Sequence, residues 1–316
     1  MKQKAINFIK KTSLFFTLIA FLSLILVFAY SFFYTSRTIS STAGKENTDE
    51  NCMYHVMVTG TYENKTFLEE VYKGALSLAE KYNCIVELHV PQTLAGKSSL
   101  QELLNYCSYL TCDGIIAYID SQDETPILLC REDEPEIPLV TIGQLSPNLH
   151  QISYIGINNW ELGKKLADET ASFLKNGGNA YIISNSTALN SNNMISSLQL
   201  ALQNYNSIQS YVLEKFDPSL EFSNKNNIFI CLNEEDTILM AQVLLEQFVD
   251  NKYKLIGFGN NEVCHLYLQK GYISELISQN PEKIGESAIE ELFEYRTKGY
   301  ANSYITADVK ISRSPG

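Results

Sequence analysis

Side chains able to carry chemistry are present in this 316-residue chain, but not in catalytic spacing. His55, His89, His150 and His265 are scattered, without the short separations that let two imidazoles share a metal. The seven cysteines are too sparse for a disulfide scaffold in a chain of this length. Cys107 and Cys112 form one close pair, with no second pair or histidine pair to complete a zinc site. Cys84, Cys130 and Cys231 lie in or beside apolar runs, where a thiol serves as a small buried hydrophobe. No Gly-Xaa-Ser-Xaa-Gly turn occurs to strain a nucleophile into reach. Gly177-Gly178 ends a helical stretch, which suits a C-terminal cap and not a phosphate loop. The acid pairs Glu234-Glu235 and Glu290-Glu291 are expected on solvated helix faces. The chain therefore reads as a non-enzyme, with no catalytic residue, metal or cofactor expected.

Charge and hydropathy constrain the compartment and the partners. Residues 13–34 are almost wholly apolar and uncharged, and about 20 such residues span a bilayer as a helix. Lys2, Lys4, Lys10 and Lys11 precede the run and Arg37 is the first charge after it. The positive-inside rule then leaves residues 1–12 in the cytoplasm and puts the rest outside the cell membrane. A cleaved secretory signal has a shorter apolar core, about 7–15 residues. The small-residue pattern Ser41-Thr42-Ala43 lies well past the run, and no Cys near its end invites lipidation. A retained single-pass signal anchor is the expectation, with 35–51 as a polar linker. The formal charge is −12, and the first 34 residues contribute four lysines and no acids, so the exported part carries about −16. That balance argues against nucleic acid or anionic lipid as a partner.

After the linker the apolar pattern alternates between period 2 and period 3.6. Strands are expected at 54–59, 84–90, 115–118, 138–142, 152–157, 180–184, 209–214, 227–231 and 253–258. Helices are expected at 67–82, 98–107, 127–131, 160–174, 195–205 and 234–249. The rhythm restarts near residue 152. Such alternation implies an α/β fold of two doubly wound, parallel-sheet lobes with helices on both faces. In open α/β sheets ligands bind beyond the carboxyl ends of the strands, so the residues just after each strand are the ones to inspect.

Several segments, in order, resemble the type I periplasmic binding protein family, in its ribose/galactose-binding branch, which shares its sensor domain with lactose-repressor-like regulators. Asn64-Lys65-Thr66-Phe67-Leu68 is similar to the family's Asn-Pro-Phe-Phe loop, and Cys112-Asp113-Gly114-Ile115-Ile116 to Val-Asp-Gly-Ile-Ile. Ile137-Pro138-Leu139-Val140 resembles Ile-Pro-Val-Val, and Ile155-Gly156-Ile157-Asn158-Asn159 the first lobe crossing. Ile256-Gly257-Phe258 and Ile277-Ser278-Gln279-Asn280-Pro281 are similar to the second. The resemblance covers about 54–312.

The resemblance implies two lobes joined by three crossovers. One lobe holds 52–157 and 280–308, the other 158–279 and 309–316. It further implies a small polar solute, a carbohydrate, held in the cleft by Asn64, Phe67, Gln144, Asn158, Asn192, Phe216, Asn233, Asn260 and Gln279. The amides would bind hydroxyls and the two phenylalanines would stack on the ring. Charged residues usual in the family are replaced at three places: Gly143-Gln144 stand for an Asp and often an Arg after the fourth strand. Asn192-Asn193-Met194 stand near a usual Arg, and Gly259 replaces an Asp. As partner the resemblance implies a membrane histidine kinase, for which the protein is a solute sensor, or the permease of a sugar ABC transporter. The missing lipobox Cys favours the sensor, and a membrane segment where repressors carry a helix-turn-helix disfavours a regulator.

Overall fold

The computed structural model describes residues 53–91, 99–110, 112–119, 136–147, 149–184, 189–214, 226–247 and 253–315. The expected membrane segment 13–34, the linker 35–51 and the helix expected at 127–131 lie outside the described residues. Among the described residues no helix is long and apolar enough to cross a membrane.

Met53–Gly316 forms one compact unit containing two sheets. Sheet one takes β1 (Tyr54–Thr59), β2 (Cys84–His89), β3 (Gly114–Ile119), β4 (Leu139–Gly143), β5 (Ser153–Gly156) and, from near the C-terminus, β11 (Tyr304–Thr306). Its order is β11-β5-β4-β3-β1-β2, all parallel. Sheet two takes β6 (Gly178–Ile183), β7 (Ile208–Leu213), β8 (Asn227–Cys231), β9 (Tyr253–Phe258), β10 (Glu275–Gln279) and β12 (Val309–Arg313). Its order is β12-β10-β9-β8-β6-β7, parallel except for the β10–β12 pair. The same order thus occurs twice. The chain passes between the sheets three times, at 157–158, 279–280 and 307–308.

The helices are α1 (Lys65–Ser77), α2 (Leu100–Tyr109), α3 (Asn159–Phe173), α4 (Leu189–Leu202), α5 (Glu234–Gln247), α6 (Glu262–Gln269) and α7 (Pro281–Lys298). Alternation along each strand decides which helices cover which face. In β1, Val56 and Val58 join a core with Leu68 and Val71 of α1 and Ile284 and Leu292 of α7. Met57, between them, points to the opposite face and packs with Leu100 and Leu104 of α2. Sheet two is sandwiched likewise. Ala180 and Ile182 meet Leu162 and Leu166 of α3 and Leu198 of α4, while Phe229 and Cys231 meet Met240 of α5 and Leu268 of α6.

Glycines let the helix pairs approach. A Cβ on Gly74 would lie 1.8 Å from the Glu282 carbonyl oxygen, and one on Gly285 1.9 Å from that of Val71. In lobe two, a Cβ on Gly163 of α3 would lie 2.6 Å from the Met194 carbonyl oxygen of α4.

The reading of the cysteines as buried hydrophobes holds for Cys84 and Cys231, while Cys130 lies outside the described residues. Burial pushes the Cys84 and Cys231 thiols up. The acid pairs differ from expectation. Glu291 is buried and accepts from the Asn302 amide at 2.7 Å and its side chain at 2.8 Å, bracing the turn before β11. Glu234 is half-buried and braces a loop of lobe two. In each pair one carboxylate is spent on backbone donors far along the chain.

Candidate functional site

In both sheets the strand order reverses beside the first strand, between β1 and β3 and between β6 and β8. That reversal opens a crevice beyond the carboxyl ends of the strands. The carboxyl ends of the two sheets meet. Asn190, near the start of α4, donates from Nδ2 to the Gly143 carbonyl at the end of β4 (3.2 Å) and to the Tyr154 hydroxyl (3.2 Å). The Tyr154 hydroxyl in turn donates to the same Gly143 carbonyl at 2.9 Å. Tyr154 is buried, and burial pushes its hydroxyl up to about 12, so it stays a donor at any ordinary pH. A Cβ on Gly156 would lie 2.0 Å from the Tyr154 oxygen, so the ring lies along its own strand toward β4.

Gly143 shows why a charged side chain is missing from this edge. Its φ is +87°, in the left-handed region that only glycine adopts without strain. A Cβ there would also sit 2.8 Å from the Ile119 carbonyl oxygen and 2.9 Å from the Tyr118 ring. The Tyr118 ring, held edge-to-face against Phe67 at 5.6 Å, fills that space. Phe67 itself is partly buried against the core of lobe one.

The next residue is more telling. The Gln144 backbone amide is fixed by the Ile119 carbonyl at 2.9 Å, while its side-chain Oε1 is buried with no hydrogen-bond partner among the described residues. Two residues on, the Ser146 hydroxyl is buried in the same condition. A buried acceptor left unpaired costs about 1–3 kcal/mol, so such atoms mark a place where water or a solute supplies the bond.

At the far sheet, Gly259 also lacks room. A Cβ would lie 2.5 Å from the Cys264 sulfur and 3.1 Å from Glu234 Oε2. Glu234 holds the loop by accepting from the Asn260 amide (2.7 Å), the Asn261 amide (3.0 Å) and the Asn261 side chain (2.9 Å). Asn260 bridges to the next strand. Its Nδ2 donates to the Gln279 carbonyl at 3.1 Å and its Oδ1 accepts from the Gln279 amide at 3.0 Å. Gln279 is thereby fixed at the end of β10, and its own carboxamide has no partner among the described residues.

The remaining expected positions have other local work. Asn158 caps α3 by accepting from the Glu161 amide, and Asn233 caps α5 by accepting from the Asp236 amide. Asn233 Nδ2 also donates to Asp236 at 2.6 Å. Asn64 precedes α1 and donates to the Thr61 hydroxyl at 3.1 Å. Asn192 lies exposed on α4, and the helix instead brings Asn190 to lobe one. Phe216 lies outside the described residues. Asn190, Tyr154 and Glu234 were not anticipated. For the first, the only signal was an Asn-rich stretch that depresses helix propensity and hid the start of α4.

A cavity of about 470 Å3 opens elsewhere, between Phe173, Ile228, Lys254, Ile256 and Arg313. It lies at the amino-terminal ends of β8 and β9, away from the crevice, and its Arg313 is already paired with Glu169 (2.7 Å) and Glu275 (3.0 Å). No group of three or more His, Cys, Asp or Glu that could hold a metal occurs among the described residues.

Among solved structures, a glucose-galactose binding protein from Geobacillus stearothermophilus is similar at 21% identity. The match covers 83% of this chain and 98% of that one, with a TM-score of 0.69. A sugar-binding protein of a sugar ABC transporter from Bacillus halodurans matches at 16% identity over 82% and 97%, with a TM-score of 0.72. XylFII in its complex with LytSN matches at 17% over 83% and 98%, with a TM-score of 0.64. At these identities the likeness is one of fold. No curated protein matches. The periplasmic binding protein domain family matches residues 56–299, most of the chain, and the protein belongs to that family.

Proposed function

We propose that the protein is a membrane-anchored, extracytoplasmic solute-binding protein of the ribose/galactose-binding branch, whose lobes close on a neutral carbohydrate. The observation that carries this reading is the Gln144 carboxamide oxygen, buried at the end of β4 and without a partner among the described residues, beside the point where Asn190 joins the lobes. With Gln279 held at the end of β10, it offers the planar donors and acceptors that hydroxyls pair with. Several fold neighbours carry sugars in their names, including a solute-binding protein in complex with D-arabinose. The apolar run of residues 13–34 supports tethering at the membrane.

The test is a thermal-shift screen of the full chain against neutral sugars. A binder raises stability by RT ln(1 + [L]/Kd), about 2.7 kcal/mol at a hundredfold excess over Kd. Gln144→Ala should abolish the shift without lowering the ligand-free melting temperature. Absence of a shift with every neutral sugar and polyol tried would remove the carbohydrate reading and leave the fold standing.

For the partner, we favour a membrane sensor kinase, with closure as the signal. XylFII, solved in complex with LytSN, supports this, and the absence of a lipidation Cys after the apolar segment agrees with it. The second reading, capture for an ABC permease, is supported by the transporter-associated neighbours. Photo-crosslinking of the tethered protein in native membranes, followed by mass spectrometry, separates a kinase from a permease.

A further inference from the structure

Asn190 and Tyr154 come from different lobes and hydrogen-bond each other directly. Asn190 belongs to α4, which packs on sheet two, and Tyr154 belongs to β5 of sheet one. Three hydrogen bonds close a triangle: Asn190 to Gly143, Asn190 to Tyr154, and Tyr154 to Gly143, at 3.2, 3.2 and 2.9 Å. The Gly143 carbonyl accepts twice, which uses both lone pairs. The Tyr154 hydroxyl donates once and accepts once. Asn190 Oδ1 has no partner among the described residues, so one acceptor remains on the lobe-two side. Of these three bonds, the two from Asn190 cross between lobes, and a two-lobe opening breaks both while leaving Tyr154–Gly143 intact.

The scaffold on the lobe-one side is stiff. Tyr154 is 2% exposed and lies within 5.6 Å of Tyr304 in β11, the strand that leads to the third crossing. Gly143 cannot accept a side chain without displacing Tyr118 or the Ile119 backbone. Neither acceptor can follow Asn190 if the lobes swing apart, so the contact is formed or lost as a unit.

We propose that Asn190 and Tyr154 form a solute-independent latch, two positioning residues that hold the lobes closed at this corner before any solute enters. A population already closed binds without first reorganising, and apparent affinity scales with the fraction in that state. The latch therefore sets how much of the affinity a solute must supply through its own contacts. It goes beyond the proposed solute binding, and its test needs no solute, so the two can fail separately.

The test is a double-mutant cycle on the full chain in detergent without added sugar, comparing Asn190→Ala, Tyr154→Phe and the double variant by thermal unfolding. Each single change should lower the melting temperature by about 2–4 °C, the shift that follows loss of a hydrogen bond or two in a protein of this size. Because both variants remove the Asn190–Tyr154 bond, the double variant should fall by clearly less than the sum of the single shifts. A neutral Asn190→Ala, or strictly additive shifts, would overturn the latch. Should Tyr154→Phe fail to fold, hydrogen exchange decides with Asn190→Ala alone. Faster exchange in peptides spanning 143–146 and 189–194, with β10 unchanged, supports the latch, and unchanged exchange in those peptides overturns it.

Discussion

Asn260 and Gln279 hold each other across the ends of two adjacent strands through a pair of bonds that mimic a sheet ladder. The β9–β10 ladder runs in register to Phe258 and Ile277, and Gly259 adds one more bond to Ile277. Beyond it, the Asn260 carboxamide takes over, donating to Gln279 at 3.1 Å and accepting from it at 3.0 Å. The ladder is thus extended by a side chain to the residue before the second crossing.

Removing that carboxamide frees both backbone groups of Gln279. Asn260→Ala should cost about 1–3 kcal/mol, two bonds at roughly 0.5–1.5 kcal/mol each. Exchange of the Gln279 amide should rise sharply. Asn260→Asp keeps the acceptor, so the Gln279 amide should stay protected although overall stability falls. A protected Gln279 amide in the alanine variant would show that the bridge does not hold the strand end in solution.

Gly285→Ala should destabilise the protein although alanine is the better helix former by about 1 kcal/mol. The added carbon would lie 1.9 Å from the Val71 carbonyl oxygen, so α7 and α1 must move apart or bend. Overpacking of this kind costs about 1–3 kcal/mol. Chemical denaturation at fixed pH checks it, with an increase in stability as the contrary result.

His89 stacks on Tyr106 at 4.2 Å, and burial depresses its imidazole while nearby Glu87 pulls the other way. A histidine depressed in the fold stabilises the protein while neutral, above its unfolded value of about 6.5. That contribution is lost as pH falls through the lower folded value, because protonation then favours the unfolded chain. Stability should therefore decline from pH 7 toward pH 5, and His89→Phe, which keeps a ring against Tyr106, should flatten the decline. Melting curves across that range measure it, and parallel curves for both proteins would count against a role for His89.

The fold was largely legible because its two periods are strong. Val56 and Val58 against Met57, or Leu162 and Leu166 on α3, declare their faces by spacing alone. The failures have local causes. α4 starts at Leu189, several residues before Ile195, because the run of Asn and Ser there carries weak helix propensity. α6 escaped notice because it is eight residues long and leaves Val263 and Leu266 exposed, which blurs its apolar stripe.

The candidate site was legible in residue type more than in role. An asparagine after a strand can cap a helix, extend a ladder or face a ligand, and these differ only in what lies within 3 Å. Asn158 and Asn233 cap, and Asn260 extends a ladder. Glu234 reaches backbone 26 residues further on and Glu291 reaches 11, distances at which no sequence period speaks. Asn190 was missed for the same reason, since its partners lie 36 and 47 residues away in the other lobe.

Gly143 and Gly259 also bear on how fast and under what conditions a solute arrives. Both stand where a charged fork would otherwise project, and in both the space is already taken, by Tyr118 and by Cys264 with Glu234. The Glu234 carboxylate beside Gly259 is saturated by backbone and amide donors. The described amides Gln144, Asn260 and Gln279 carry no charge, so on the proposed reading they add no electrostatic steering to the capture of a neutral solute. For a neutral solute held by these amides, retention should hold nearly constant from dilute to marine ionic strength. On the proposed reading, such a protein reports solute concentration and ignores the salinity of its surroundings.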